Sequence, residues 1–133
     1  MQSNQVTNQA SELFLEESTD KLINMLRSID PKAIDEIRRL RGVPHFMVNI
    51  AIAILTLLRY NSKNWDAFAR ELEDATRLIN KLSEVSIDRI DVHTIREVQE
   101  VFNPILGVAD RSLFGRWITE FIGCWEEYQK LLK

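Results

Sequence analysis

The sequence predicts an all-α fold for a single small domain, and composition and spacing both support this. The chain has 133 residues, 45% of them apolar and 28% charged, with only 4 Gly and 3 Pro. Few turn-forming residues, and no clear alternation of Val, Ile and Thr, argue against a sheet. Apolar residues instead recur every three or four positions, which is the spacing of one helix face. A chain of this length can bury a core without a metal or a disulfide.

The first 41 residues are predicted to hold a polar tail and a helical arm. Residues 1–10 are rich in Gln and Asn and are expected to be a disordered tail. Residues 11–41 are predicted to form the first stalk helix, because three apolar residues repeat at the seven-residue spacing of a coiled coil: Leu15, Leu22 and Ile29. Asp30-Pro31 predicts either a kink or a boundary between two helices, since proline suits a first helical position.

Residues 42–113 are predicted to fold as a globule of short helices. Gly42 and Pro44 break the charged arm, and a nearly charge-free helix follows to about Arg59. Asn64 is expected to cap the next helix. Later signals predict a helix over residues 78–82, a further helix capped by Ser86 or Asp88, and a stop at Asn103-Pro104.

Residues 114–133 are predicted to form the last helix of the globule, running into a second stalk helix. Its apolar residues step by four and three: Phe114, Ile118, Phe121, Trp125, Tyr128 and Leu132. Each terminal arm then carries a face that only the other arm could cover. The expected architecture is a small bundle of short helices at the tip of an antiparallel two-helix coiled-coil stalk.

Charge is distributed unevenly along the chain. The net charge is −3 overall, but residues 32–64 hold 6 basic and 2 acidic side chains, giving +4. The overall charge argues against nucleic acid as a partner. The local excess favours an acidic protein surface.

Motifs for catalysis, cofactors and metals are not found in the sequence. There is no phosphate-binding glycine loop and no H-E-x-x-H pair, and His45 and His93 lie far apart without a neighbouring cysteine. Cys124 has no evident base partner and is interpreted as a small buried hydrophobe. We expect a non-enzymatic chain with no catalytic residue, cofactor or metal. The charge-free run over residues 42–58 contains Pro44, which favours a buried helix over a membrane span, and no signal peptide is recognised.

The order of these segments resembles the microtubule-binding domain at the tip of the dynein heavy-chain stalk. A D-E-I-R-R-L run at residues 35–40 followed by Val43-Pro44 is similar to the end of the family's first stalk helix and the start of its first buried helix. Trp65 opens a helix after a loop, as in the family. An F-N-P step at residues 102–104 and an R-W pair at residues 116–117 also match, and the His after Pro44 leans toward axonemal heavy chains.

The resemblance implies a function, a partner and a location. The fragment would bind αβ-tubulin in microtubules as a monomer, without nucleic acid or membrane, in the cytoskeleton of a ciliary axoneme. Its parent would be an ATP-driven motor, and the register of the stalk helices would set the affinity. The residues expected to contact tubulin are Arg38, Arg39, Arg41, His45, Asn49, Arg111 and Arg116.

Departures from the family pattern leave two alternatives open. The family usually carries a basic residue where this chain has Val48 or Asn49. A dynein-like domain with weak or lost microtubule affinity would then act as a structural or protein-interaction module. A second alternative is an unrelated helical bundle that binds a partner helix, in which the terminal arms would not pair.

Overall fold

The computed structural model describes the backbone from Gln2 to Lys133 and the side chains from Gln9 onward. All regular secondary structure over these residues is helical, which confirms the predicted all-α class. The described residues form seven α-helices: α1 (Gln2–Arg27), α2 (Pro31–Arg38), α3 (His45–Leu57), α4 (Trp65–Leu72), α5 (Ala75–Ser83), α6 (Val92–Phe102) and α7 (Leu113–Leu132). Two 3₁₀ turns, η1 (Asn103–Ile105) and η2 (Ala109–Arg111), connect α6 to α7.

The first arm is two helices, so the prediction of one stalk helix over residues 11–41 is corrected. The Asp30 side chain accepts a hydrogen bond from the Lys32 amide at 2.9 Å and caps α2, while Pro31 takes the first helical position. Ile29 and Ile34 are buried on either side of this break. Asp30-Pro31 is therefore a boundary between two helices and not a kink within one helix. At the other end, α1 begins at Gln2, where a disordered tail is predicted over residues 1–10.

Helix α3 is the central element of the core. Pro44 caps it with extended backbone dihedral angles, and eight of its thirteen residues are buried. It ends in a Schellman motif: the Tyr60 amide donates to the Leu55 carbonyl and the Arg59 amide to the Thr56 carbonyl. Arg59 occupies the left-handed position of that motif, with φ of 63°, where glycine is more usual.

Helix α6 runs antiparallel to α3. The Asn49 amide group donates to the Val101 carbonyl at 3.0 Å near one end of the pair. Arg59 forms an ion pair with Asp91 at the other end. The end of α6 and the following 3₁₀ turn therefore lie beside the start of α3.

Side-chain caps begin α4, α5 and α6. Asn64 accepts from the Ala67 amide, as predicted, and Asp74 accepts from the Arg77 amide. The prediction that Ser86 or Asp88 caps the next helix is wrong. Asp91 caps α6 by accepting from the Thr94 amide at 2.8 Å, whereas Ser86 and Asp88 bond to each other within the preceding turn.

Helices α1 and α7 pack antiparallel. Three contacts define their register: the Ser18 hydroxyl with the Cys124 thiol, the Lys21 ammonium with the Glu120 carboxylate, and the Trp117 indole N–H with the Leu22 carbonyl at 3.1 Å. Residue numbers rise along α1 as they fall along α7, so the two terminal arms do pair.

The α1–α7 pair is continuous with the globule. The last two turns of α1 face α5 and the turn after it, where Leu22 and Leu26 line a narrow gap with Leu82 and Ile87. Along the opposite flank, the Gln99 side chain of α6 reaches the Glu126 carboxylate. The globule thus lies beside most of the length over which α1 and α7 pack against each other. A coiled-coil stalk that extends beyond the globule stays a prediction.

Candidate binding surface

The seven residues predicted to contact tubulin come from four parts of the chain. Arg38 ends α2 and Arg39 and Arg41 follow it, while His45 and Asn49 lie in the first turns of α3. The remaining two flank the start of α7: Arg111 in η2 and Arg116 in the first turn. The geometry divides this set into residues with structural partners and residues without them.

The two arginines at the end of α2 share one carboxylate. Asp35 contacts the Arg38 guanidinium at 2.7 Å and the Arg39 guanidinium at 3.1 Å, which are i,i+3 and i,i+4 pairs on one helix face. The hydrogen bond from Arg38 holds the pKa of Asp35 below its usual value. Part of the positive charge at this end of α2 is therefore balanced locally.

Two other predicted residues have structural roles. Asn49 joins α3 to α6 through the Val101 carbonyl, so its side chain is directed toward a neighbouring helix. The Arg116 Nε donates to the Asp110 carbonyl at 2.8 Å and holds η2 against the start of α7. The Arg116 side chain is still exposed and keeps donors for a partner.

The side chains of Arg41, His45 and Arg111 are exposed, and none makes a hydrogen bond or ion pair with the described residues. They are the members of the predicted set whose charged or polar groups are most available to an acidic surface.

A groove between α2 and the start of α7 was not anticipated from the sequence. Its walls come from α2, α3 and the η2–α7 junction, and it encloses about 290 Å³. Five apolar side chains line it: Ala33, Ile37, Leu40, Met47 and Leu113. Glu36 and Arg111 supply the charged groups of the lining. This α2–α7 groove brings Arg111 next to α2.

Ser112 also lines the α2–α7 groove and has an unusual environment. It occupies the position before α7, yet its side chain makes no capping hydrogen bond. Its hydroxyl oxygen is buried and has no hydrogen-bond partner among the described residues. A buried hydroxyl without a partner lowers the stability of the folded state. Ser112 is therefore not explained by its contribution to stability. A serine before a helix gives no sign of this in the sequence.

A polar cluster elsewhere has a structural explanation. Lys81 contacts the Glu71 carboxylate at 3.0 Å and lies over the Tyr60 ring, whose hydroxyl bonds to the same carboxylate. This cluster ties the loop after α3 to α4 and α5. The Cys124 thiol is enclosed between α1 and α7, and burial raises its pKa. It therefore stays protonated at neutral pH, as a buried structural thiol does.

The described residues hold neither a cluster of metal-binding side chains nor a helix suited to cross a membrane. They contain no group of three or more His, Cys, Asp and Glu side chains placed to hold a metal ion. None of the helices in this part of the chain combines the length and apolarity that a membrane crossing requires.

Comparison of the chain with protein-family models, with curated proteins and with solved structures finds no match.

Proposed function

We propose that this chain is a microtubule-binding domain similar to the tip of a dynein heavy-chain stalk, without catalytic activity of its own. One observation carries most of the weight: α1 and α7 pack antiparallel, so the chain enters and leaves the globule at the same end. That arrangement suits a domain inserted at the end of a two-helix stalk. An ATP-driven motor of an axoneme would be the parent.

The partner proposed is the acidic surface of αβ-tubulin. Arg41, His45 and Arg111 would make the main contacts, because their side chains are exposed and have no partner in the described part of the chain. Arg38, Arg39 and Arg116 would add positive charge while keeping their structural bonds. Exposed charge pairs contribute on the order of 0.2–1 kcal/mol each, so several must act together.

Control of affinity would come from the register between α1 and α7. In the family the resemblance suggests, a half-heptad slip of the stalk helices switches the tip between weak and strong binding. The polar contacts that define the register here are the Ser18–Cys124 contact, the Trp117–Leu22 hydrogen bond and one exposed ion pair. A partner that binds one register more tightly by a few kcal/mol would shift the equilibrium between two registers toward it.

Co-sedimentation with microtubules tests the proposal. The double variant Arg41→Glu and Arg111→Glu should weaken binding about tenfold at low salt, because two attractive contacts become repulsive. Arg89→Glu is the control, since Arg89 is exposed in the turn before α6, near the opposite end of α3. Helical content measured by circular dichroism should be the same in all variants. Equal weakening by the control, or none by the double variant, would contradict the proposed surface.

A second function is favoured by the bonds that engage part of the predicted set. Asp35 pairs with both Arg38 and Arg39, and the Asn49 side chain donates to the Val101 carbonyl. A domain similar to the stalk tip but with so few unpaired charges would have weak or lost affinity for microtubules. It would act instead as a structural or protein-interaction module. Unmodified protein that stays in the supernatant even at low salt would select this function.

A further inference from the structure

The α2–α7 groove combines exposed apolar walls with an unsatisfied polar group. Leu40 and Leu113 lie on facing elements and are 41% and 38% exposed, although most large apolar side chains of the described chain are buried. Met47 closes one side of the groove and is itself buried. A bulky apolar side chain entering between the two leucines would remove their apolar surface from water, which is favourable.

The α7 end of the groove offers hydrogen-bond donors. Helix α7 has 20 residues, and the first N–H groups of any helix lack partners within it. The Ser112 side chain leaves those groups uncapped, and its own hydroxyl is buried without a partner in the described part of the chain. A carboxylate at this point would accept hydrogen bonds from the N-terminal amides and, once the Ser112 side chain rotates toward the groove, from its hydroxyl; the helix dipole would favour the negative charge.

The charge around the groove favours an acidic ligand. Arg111 lines the groove beside Ser112, and after α2 come Arg39, which Asp35 partly balances, and the exposed Arg41. Glu36 is the opposing charge in the lining and lies on α2. A carboxylate is therefore expected at the α7 end, beside Arg111 and away from Glu36.

We propose that the α2–α7 groove binds a short acidic peptide segment of another protein, with a bulky apolar side chain between Leu40 and Leu113 and a carboxylate at Ser112. The Arg111 guanidinium pairs with that carboxylate. Nothing in this inference depends on tubulin, so it stands even if the chain fails to bind microtubules.

Nuclear magnetic resonance titration of the full chain tests the proposal. The probe is the capped hexapeptide Glu-Glu-Leu-Phe-Glu-Glu, and the controls are Lys-Lys-Leu-Phe-Lys-Lys and Glu-Glu-Ser-Gly-Glu-Glu. We expect saturable shifts of the Leu113 and Phe114 amides with the first peptide only. Absence of shifts at millimolar peptide, or equal shifts with either control peptide, would overturn the proposal. Shifts of the same amides with protein concentration alone would assign the groove to a second copy of the chain and would also overturn it.

Matched leucine variants locate the site. Leu40→Glu should weaken peptide binding at least tenfold, because it places a like charge in the groove. Leu106→Glu changes another exposed leucine, 53% exposed and outside the groove lining, and should leave affinity unchanged. An equal effect of the two variants would contradict the location.

Ser112→Ala separates a ligand-binding role from a structural one. Because the hydroxyl has no partner among the residues that the structure describes, its removal should leave the thermal midpoint the same or higher, while peptide affinity falls several-fold. A lowered midpoint with unchanged affinity would mean that Ser112 is only a helix cap, and the carboxylate site would be rejected.

Discussion

Gly115 is the position where the smallest side chain matters most. A Cβ atom added there would lie 2.0 Å from the Ala109 carbonyl oxygen and 3.2 Å from the Ile50 side chain. The η2 backbone therefore rests directly on the first turn of α7, and this contact fixes how Arg111 and Ser112 are presented to the α2–α7 groove. A glycine within a predicted helix gives little indication of such a contact.

Gly115→Ala should destabilise the fold by about 3 kcal/mol, because backbone, unlike a flexible side chain, cannot move aside cheaply. Gly123→Ala is the matched control on the same helix, since an added Cβ there meets nothing within 4 Å. The control should stabilise the protein by roughly 0.5–1 kcal/mol through higher helix propensity. Urea denaturation measures both, and similar shifts for the two variants would contradict the close packing.

The ends of α3 and α6 show how one side chain can serve two elements. Asp91 caps α6 through the amide and hydroxyl of Thr94 and also pairs with Arg59. The pKa of Asp91 is lowered to about 2. The hydrogen bond from the Thr94 amide contributes most, followed by the Thr94 hydroxyl and then the Arg59 guanidinium. The ion pair also gives a reason for arginine at the left-handed end of α3, where glycine would be less strained.

The pH dependence of stability follows from this lowered pKa. The folded chain holds the proton less tightly than the unfolded chain, so the stabilisation by the charged carboxylate is complete above about pH 4 and is lost as the pH falls toward 2. Asp91→Asn keeps a capping residue but removes the charge, and should flatten the fall in thermal midpoint between pH 4 and 2. Asp20→Asn, at an exposed position of α1, controls for net charge. Identical slopes for Asp91→Asn and the unmodified chain would contradict the assignment.

At the scale of the whole molecule, the register between α1 and α7 decides how the two ends of the chain meet. Ser18 and Cys124 are both buried and in contact across this interface. A half-heptad slip would move either residue by about 5 Å along the helix axis, which would separate them. Their proximity is therefore a direct measure of register.

Ser18→Cys should form a disulfide with Cys124 under mild oxidation, detected as faster migration on a non-reducing gel. The new bond closes a loop of roughly 100 residues, so in the chain-entropy model it adds about 4–5 kcal/mol of stability. Ser28→Cys, exposed beyond the end of α1, is the control and should not couple to Cys124. Failure of Ser18→Cys to oxidise, with Ser28→Cys coupling instead, would contradict the antiparallel register.

Local features of the fold were predictable, and non-local features of the site were not. Residue type and position predict Asn64 as a cap and Pro44 as the start of a buried helix, and the structure confirms both. Asp91 was missed as the cap of α6, because Ser86 and Asp88 offer the same chemistry a few residues earlier. Which of several local candidates caps a helix depends on the tertiary position of the chain.

The sequence by itself determined the helical class, the burial of α3 and the apolar faces on both terminal arms, because these depend on residue type and spacing within one segment. Only the tertiary structure decided that α2 separates from α1, that η2 rests on Gly115 and that a groove lies between α2 and α7. Those features depend on contacts between residues distant in the chain, which side-chain shape and packing select. The groove and its unsatisfied Ser112 hydroxyl therefore emerge only once the chain is folded.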